Sequence, residues 1–220
     1  MLLQIAQPLP PALLAECQAM AVQDALFSPG KATAGWHARE RKHNLQARGE
    51  PAVQGLLARV AEALAAHPLI SSAARPRSVV RLLLSRYETG MAYGNHVDDA
   101  LMDGQRTDLS FTLFLSGPQD YAGGRLVIDE PAGERAFAMQ SGDMLLYPST
   151  SLHRVEPVTQ GRRLVIVGWI RSQVRSAEAR EILFDLDRVI AALRSNGDAG
   201  ESLELLLKTR SNLLRLWAED

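Results

Sequence analysis

Apolar positions along this chain change their period twice, and the changes divide it into three segments. Residues 10–27 follow a proline-rich entry, Pro8-Leu9-Pro10-Pro11, and predict a helix. Residues 28–50 are polar, with Gly30, Gly35 and Gly49, and predict a loop with room for one short strand. Pro51 suits a first helical turn. Beyond it Val53, Leu56, Leu57, Val60 and Leu64 recur with a 3.6-residue period, which predicts a core-packed helix over 51–67.

Near residue 78 the period shortens. SVVRLLLSRY, DLSFTLFLS, GRLVIDE, ERAFAM, DMLLYPS, HRVEPV and RRLVIVGWIRS are short apolar runs, with turns expected at Gly123-Gly124, Ser141-Gly142-Asp143 and Gln160-Gly161. Many short strands at close spacing predict a sandwich or barrel. Leu109, Phe111, Leu113 and Leu115 alternate and give one buried face. After Arg175 the helical period returns. Ile182, Leu183, Leu186, Val189, Ile190 and Leu193 form one stripe, and Leu203, Leu206, Leu207, Leu214 and Trp217 a second, with Asn196-Gly197-Asp198-Ala199-Gly200 between them. That pattern predicts a helical hairpin. The second stripe suits an intramolecular core or a homodimer interface equally well.

The expected organisation is therefore a helical and loop segment over 1–77, a β core over 78–175 and a helical hairpin over 176–220. This is a mainly β fold with flanking helices, of the α+β class. At 220 residues and 46% hydrophobic content, one substantial domain with an appendage is accommodated. A net charge of -1 with both signs dispersed suggests neither a nucleic-acid footprint nor a polybasic membrane anchor. No apolar run approaches the ~18 residues that signal a spanning helix, and MLLQIAQPLPPALLAE lacks the layout of a signal peptide. One cysteine, Cys17, cannot form an internal disulfide, which fits a reducing cytoplasm.

Within the β segment, YGNHVDDA places His96 and Asp98 two positions apart, and His153 follows in PSTSLHRVEP. On an extended strand, residues two apart share a face, so His96 and Asp98 project together while Val97 turns into packing. A single His-x-Asp pair is most often a surface turn. A distant histidine at a strand start, brought close by barrel closure, makes the set of two imidazoles and one carboxylate that suits non-haem iron. His67 ends a helix beside Pro68, and His37 and His43 lie in polar sequence without a carboxylate at strand spacing. Ten residues after His153 stands Arg163, within an apolar strand. Burying it without an anionic partner is costly. The alternative is an outward-facing residue, since Arg162 is adjacent and only one of the two can point inward. Arg81, Arg86, Arg106 and Arg125 are read as a solvated strand face rather than a site for an acidic substrate. Asp108 is read as a local cap or ion pair.

The stretches RYETGMAYGNHVDDALM, RTDLSFTLFLS, YAGGRLVI, SGDMLLYPSTSLHRVEPVTQGRRLVIVGWIRSQVR and ILFDLD resemble the PKHD-type hydroxylases. These are bacterial relatives of prolyl 4-hydroxylase within the Fe(II)/2-oxoglutarate dioxygenase superfamily. The resemblance runs from about residue 30 to the C-terminus. It implies a double-stranded β-helix, or jelly-roll, core, with Fe(II) held by His96, Asp98 and His153 and 2-oxoglutarate held by Arg163. It also implies that Tyr87 donates to the same carboxylate and that Tyr93 lines the pocket. Further implications are support by ascorbate, dioxygen as oxidant, succinate and carbon dioxide as co-products, and a small-molecule or peptidyl, amino-acid-like substrate. Halogenases of the superfamily lack the carboxylate, so Asp98 favours hydroxylation. Two other readings remain: a cupin-like metalloenzyme without a keto acid, which would not need Arg163, and a non-catalytic iron- or 2-oxoglutarate-sensing module.

Overall fold

The computed structural model describes residues 1–33, 39–197 and 200–219. Gly35, His37, Asp198 and Ala199, named above, lie outside these. In chain order the elements are β1 (Leu3–Ile5), α1 (Pro11–Ala21), β2 (Phe27–Pro29), β3 (Lys42–His43), β4 (Leu45–Ala47), α2 (Pro51–Ala66), α3 (Pro68–Ala74), β5 (Pro76–Glu88) and β6 (Ala92–His96). There follow β7 (Leu101–Met102), β8 (Gln105–Arg106), β9 (Leu109–Phe114), β10 (Tyr121–Gly123), β11 (Leu126–Glu130), β12 (Gly133–Phe137), β13 (Met144–Pro148), β14 (His153–Val155) and β15 (Val158–Ser172). The chain closes with α4 (Ala177–Ser195) and α5 (Glu201–Trp217).

Two antiparallel sheets form the core. The larger runs β1-β13-β9-β15-β5-β4-β2, with β10 added to β15, and the smaller runs β12-β11-β14-β6-β3. The expected mainly β fold with a jelly-roll core and flanking helices is the one observed. β15 organises the larger sheet, because it pairs with β5 along one edge and with β9 along the other.

Alternation along β9 has a different outcome from the one expected. All six of its residues are buried. Leu109, Phe111 and Leu113 pack outward against residues of α1, α2 and α3, including Cys17, Leu56, Val60 and Ile70. Ser110 and Thr112 face the opposite way and line the space between the sheets. Both faces are covered, one by helices and one by the second sheet, so alternation marks which interior a residue enters rather than inside against outside.

The N-terminal helices differ from the pattern in their bounds. α1 stops at Ala21, since Phe27 pairs with Ala47 and the chain must turn before it. α2 stops at Ala66 because a residue before proline is driven out of the helical region. His67 is extended, with ψ 126°, and Pro68 starts the unexpected α3. The polar stretch 28–50 holds short strands that close the barrel. β3 joins the smaller sheet at β6, and β4 joins the larger at β5. Gly161, expected in a turn, lies instead within β15 opposite Tyr121 at φ +76°.

The C-terminal helices form the expected hairpin, and its stripes are only partly covered. Leu183 and Leu203 are buried, while Ile182, Val189 and Leu207 are exposed. Leu183 packs with Val174, Leu213, Leu214 and Trp217, and Phe184 reaches the core beneath the larger sheet. No described helix is long and apolar enough to cross a membrane.

Candidate metal centre

His153 opens β14 directly across from His96, the last residue of β6. The two rings lie 4.2 Å apart between centroids, tilted by 51°. Strand pairing stops at His96, so Asp98 sits just beyond the strand rather than on it. Its Oδ2 is nonetheless 3.9 Å from His153 Nε2, and one ligand atom from each of the three residues falls within 4.8 Å of the others. Val97 does not turn into packing but is 39% exposed.

The immediate surroundings orient each donor. His96 Nδ1 lies 2.8 Å from the Gly94 carbonyl and His153 Nδ1 lies 3.0 Å from that of Ser151. A carbonyl only accepts, so each Nδ1 carries a proton and each Nε2 is the nitrogen left to bind a metal. Burial, and then the proximity of His153, push the His96 pKa well down, so the ring is neutral as a ligand must be. Ser110 Oγ donates to Asp98 Oδ2 over 2.5 Å and contacts Ser149 Oγ at 2.8 Å. Tyr93 stacks on His96 at 3.6 Å, and Tyr147 meets His153 edge-on at 5.2 Å. Two imidazoles and a carboxylate converging from a closed wall fit a divalent first-row metal.

Arg163 lies on the facing sheet and lines the same cavity. It is 1% exposed, while Arg162 points out to Glu88. Its guanidinium carbon is 5.2 Å from the centre of the Tyr87 ring and 5.3 Å from that of Phe114. Nε has no hydrogen-bond partner among the described residues. The residue behind it is Gly124, at φ +59°, where a Cβ would come within 3.3 Å of Arg163 Cδ and 2.8 Å of Val158. A guanidinium so placed calls for an anionic ligand, and its planar fork matches a carboxylate. Tyr87 and Tyr93 line the cavity, and burial raises both phenolic pKa values, which keeps them as neutral donors.

Further cavity residues were not anticipated from the sequence. Lys42, Asn44 and Gln46 alternate along β3 and β4, each at most 5% exposed, and all line the cavity. The K-H-N-L-Q run carried the signal: polar residues at a spacing of two, disguised by lying in a polar stretch. Ser110, Tyr147 and Trp169 also line it, and Arg163 offsets part of the rise that burial causes in the Tyr121 phenol pKa. Of the arginines read as a solvated face, Arg81 pairs with Asp103 and Arg125 with Glu156. Arg86 departs from that reading: it is 3% exposed and bonded to Asp24. Arg106 bridges Asp108 and Glu219, which gives Asp108 its local ion pair.

A jelly roll with two facing histidines on one sheet, an aspartate just beyond it and a buried arginine on the other sheet defines the class of the 2-oxoglutarate- and iron-dependent oxygenases. Residues 82–171 match the 2OG-Fe(II) oxygenase superfamily, and residues 178–219 match the PKHD-type hydroxylase C-terminal domain. A PKHD-type hydroxylase of Maricaulis maris is 51% identical over 194 residues, spanning 88% of this chain and 89% of its own. One from Parvibaculum lavamentivorans is 47% identical over 220 residues and all of both chains. The crystal structure of a Pseudomonas putida prolyl-4-hydroxylase shares the fold, with a TM-score of 0.59 at 22% identity, over 78% of this chain and 92% of that one. The chain belongs to the PKHD-type hydroxylases, an enzyme family whose chemistry uses Fe(II) and 2-oxoglutarate.

Proposed function

We propose that this hydroxylase holds Fe(II) through His96 Nε2, His153 Nε2 and the Asp98 carboxylate, and 2-oxoglutarate through Arg163 and Tyr87. Its substrate is a peptidyl or amino-acid-like molecule, and the co-products are succinate and carbon dioxide. The observation that carries this reading is the buried Arg163, which has no acidic partner among the described residues and lines the same cavity as the metal-ligating groups. A metal site that used no keto acid would have no use for that charge.

Ferrous iron, when bound, supplies dioxygen activation that couples decarboxylation of 2-oxoglutarate to hydroxylation of a C–H bond. The rest falls to the chain. Arg163 donates two parallel N–H bonds to the distal carboxylate and fixes the length and direction of the co-substrate. Tyr87 adds a hydroxyl donor, and Tyr93 packs over His96 and shapes the wall. Ser110 holds Asp98 in one rotamer. Phe114, Leu126, Tyr147 and Val165, all buried around Arg163, keep water from that end. The amino-acid-like assignment is supported by the mixed chemistry at the other walls, with Lys42, Gln46 and Asp99 offering both signs and an amide beside the apolar Leu83 and Trp169.

Ascorbate as the supporting reductant follows from kinship with the prolyl hydroxylases. A cytoplasmic setting is supported by the lone, buried Cys17.

The test is turnover without a prime substrate. Purified protein given Fe(II), 2-oxoglutarate and oxygen should release succinate slowly, faster with ascorbate, and stop when iron is chelated. Absence of both succinate and 2-oxoglutarate binding would overturn the reading.

A further inference from the structure

Asn44 is 2% exposed and lines the cavity alongside Tyr87 and Arg163. It lies where the chain crosses from the smaller sheet at β3 to the larger at β4, and the backbone N–H of Gly30 donates to its carbonyl over 2.9 Å. The two ends of its carboxamide have different neighbours. Oδ1 has no hydrogen-bond partner among the described residues and presses on the Gly30 backbone, where a Cβ would come within 2.1 Å of it. The other end faces Tyr87, which lies across from Asn44 one step beyond the Leu45–Arg86 strand pair and lines the same cavity; burial raises the phenol's pKa and the amide lowers it, as a donor would.

That orientation has a physical reason. An oxygen against a Cα–H makes a weak favourable contact, whereas an NH2 group there would face hydrogens with nothing to donate to. With Oδ1 on the Gly30 side, the atom facing Tyr87 is the amide nitrogen, which only donates. A phenol that accepts from an amide keeps its own proton for another acceptor. The Arg163 guanidinium, 5.2 Å from the ring centre, marks where an anionic acceptor would lie.

We propose that Asn44 is a positioning residue for the co-substrate: seated on Gly30, it donates to Tyr87 and so commits the phenolic proton to the cavity, where the distal carboxylate of 2-oxoglutarate receives it. This rests on the assignment of Arg163 and Tyr87 to 2-oxoglutarate made above. In this role Asn44 acts through Tyr87 rather than on the co-substrate or the metal.

The experiment measures 2-oxoglutarate affinity of the iron-loaded protein without oxygen, with Fe(II) affinity and thermal stability recorded alongside. Asn44→Ala should weaken 2-oxoglutarate binding a few-fold. Asn44→Asp, which takes up the Tyr87 proton, should weaken it more, by roughly tenfold. Fe(II) affinity should be unchanged in both. In a Tyr87→Phe background, Asn44→Ala should have no further effect on affinity, which a merely structural role would not predict. Gly30→Ala dislodges Oδ1 without changing Asn44 and should reproduce the few-fold loss, so the idea stays testable if the Asn44 variants do not fold. Unchanged affinity in these variants, or a loss that persists with Phe at 87, overturns the inference alone. A wild-type protein that binds iron yet takes no 2-oxoglutarate overturns it together with the reading it rests on.

Discussion

His96 and His153 face each other across β6 and β14 with ring centroids 4.2 Å apart and both Nδ1 atoms turned to backbone carbonyls. Burial and the nearby His153 ring disfavour protonation of His96, and a divalent cation could take an imidazole lone pair from each ring. Asp98 supplies the charge that completes the set. Asp98→Ala should therefore abolish hydroxylation and weaken Fe(II) binding, measured by iron titration of the apo protein. Normal turnover in that variant would remove Asp98 from the site.

The Ser110 hydroxyl supports that carboxylate. Outer contacts of this kind typically alter metal affinity or activity by about 10- to 100-fold when removed. Ser110→Ala should fall in that range for Fe(II) affinity while leaving the fold intact, since Ser149 keeps a polar neighbour in place. An affinity equal to wild type would show that Asp98 is held by the backbone alone.

Arg163→Ala should separate metal from co-substrate. A hydrogen bond to a charged group is worth about 1.5–3 kcal/mol, so the KM for 2-oxoglutarate should rise by roughly ten- to a hundredfold or more. Fe(II) affinity should stay near wild type because Arg163 lies on the opposite sheet. An unchanged KM would assign the buried guanidinium to architecture.

The convergence of His96, Asp98 and His153, and the burial of Arg163, were legible in the sequence because each residue carries its own chemical signal. An imidazole and a carboxylate two apart are a weak signal alone, and the distant His153 and an arginine beside Leu-Val-Ile-Val are what sharpened it. The barrel strands were legible for a related reason, since turn residues punctuate them. Asn44 and its neighbours were not, because a polar residue in a polar stretch reads as solvated until tertiary structure covers it. β3 and β4 are too short for a periodic signal, and α3 was hidden because Pro68 both ends one helix and begins another. The exposure of Ile182 and Val189 shows the opposite limit: an amphipathic period predicts a face, and the partner decides how wide a face is covered.

Cys17 is inaccessible and its thiol is pushed up to about 11, by burial first and then by the neighbouring Glu16 carboxylate. The thiolate is the reactive form. At pH 8 the native protein should leave a disulfide-exchange reagent unreacted, and one thiol should appear on adding denaturant. Rapid stoichiometric labelling of the native protein would show that α1 opens readily.

Asp187 ties the C-terminal hairpin to α3 and its capping residue. It accepts from Arg75 at 2.6 Å and from Ser72 at 2.8 Å, and Arg210 of α5 reaches its other oxygen. Arg75, which caps α3, has a side chain only 6% exposed, and burial lowers its pKa against the pull of Asp187. Removing Asp187 strands a buried charge, which costs about 3–5 kcal/mol in comparable pairs. Arg210 is a third exposed, so its own loss should cost no more than about 1 kcal/mol. Urea unfolding should therefore show a large fall in midpoint for Asp187→Ala and a small one for Arg210→Ala. Pairing Asp187→Leu with Arg75→Met should restore much of the stability, because the uncompensated charge disappears with its partner. Equal, small effects from all three would mean that the hairpin is held by the apolar contacts of Leu183, Leu214 and Trp217 instead.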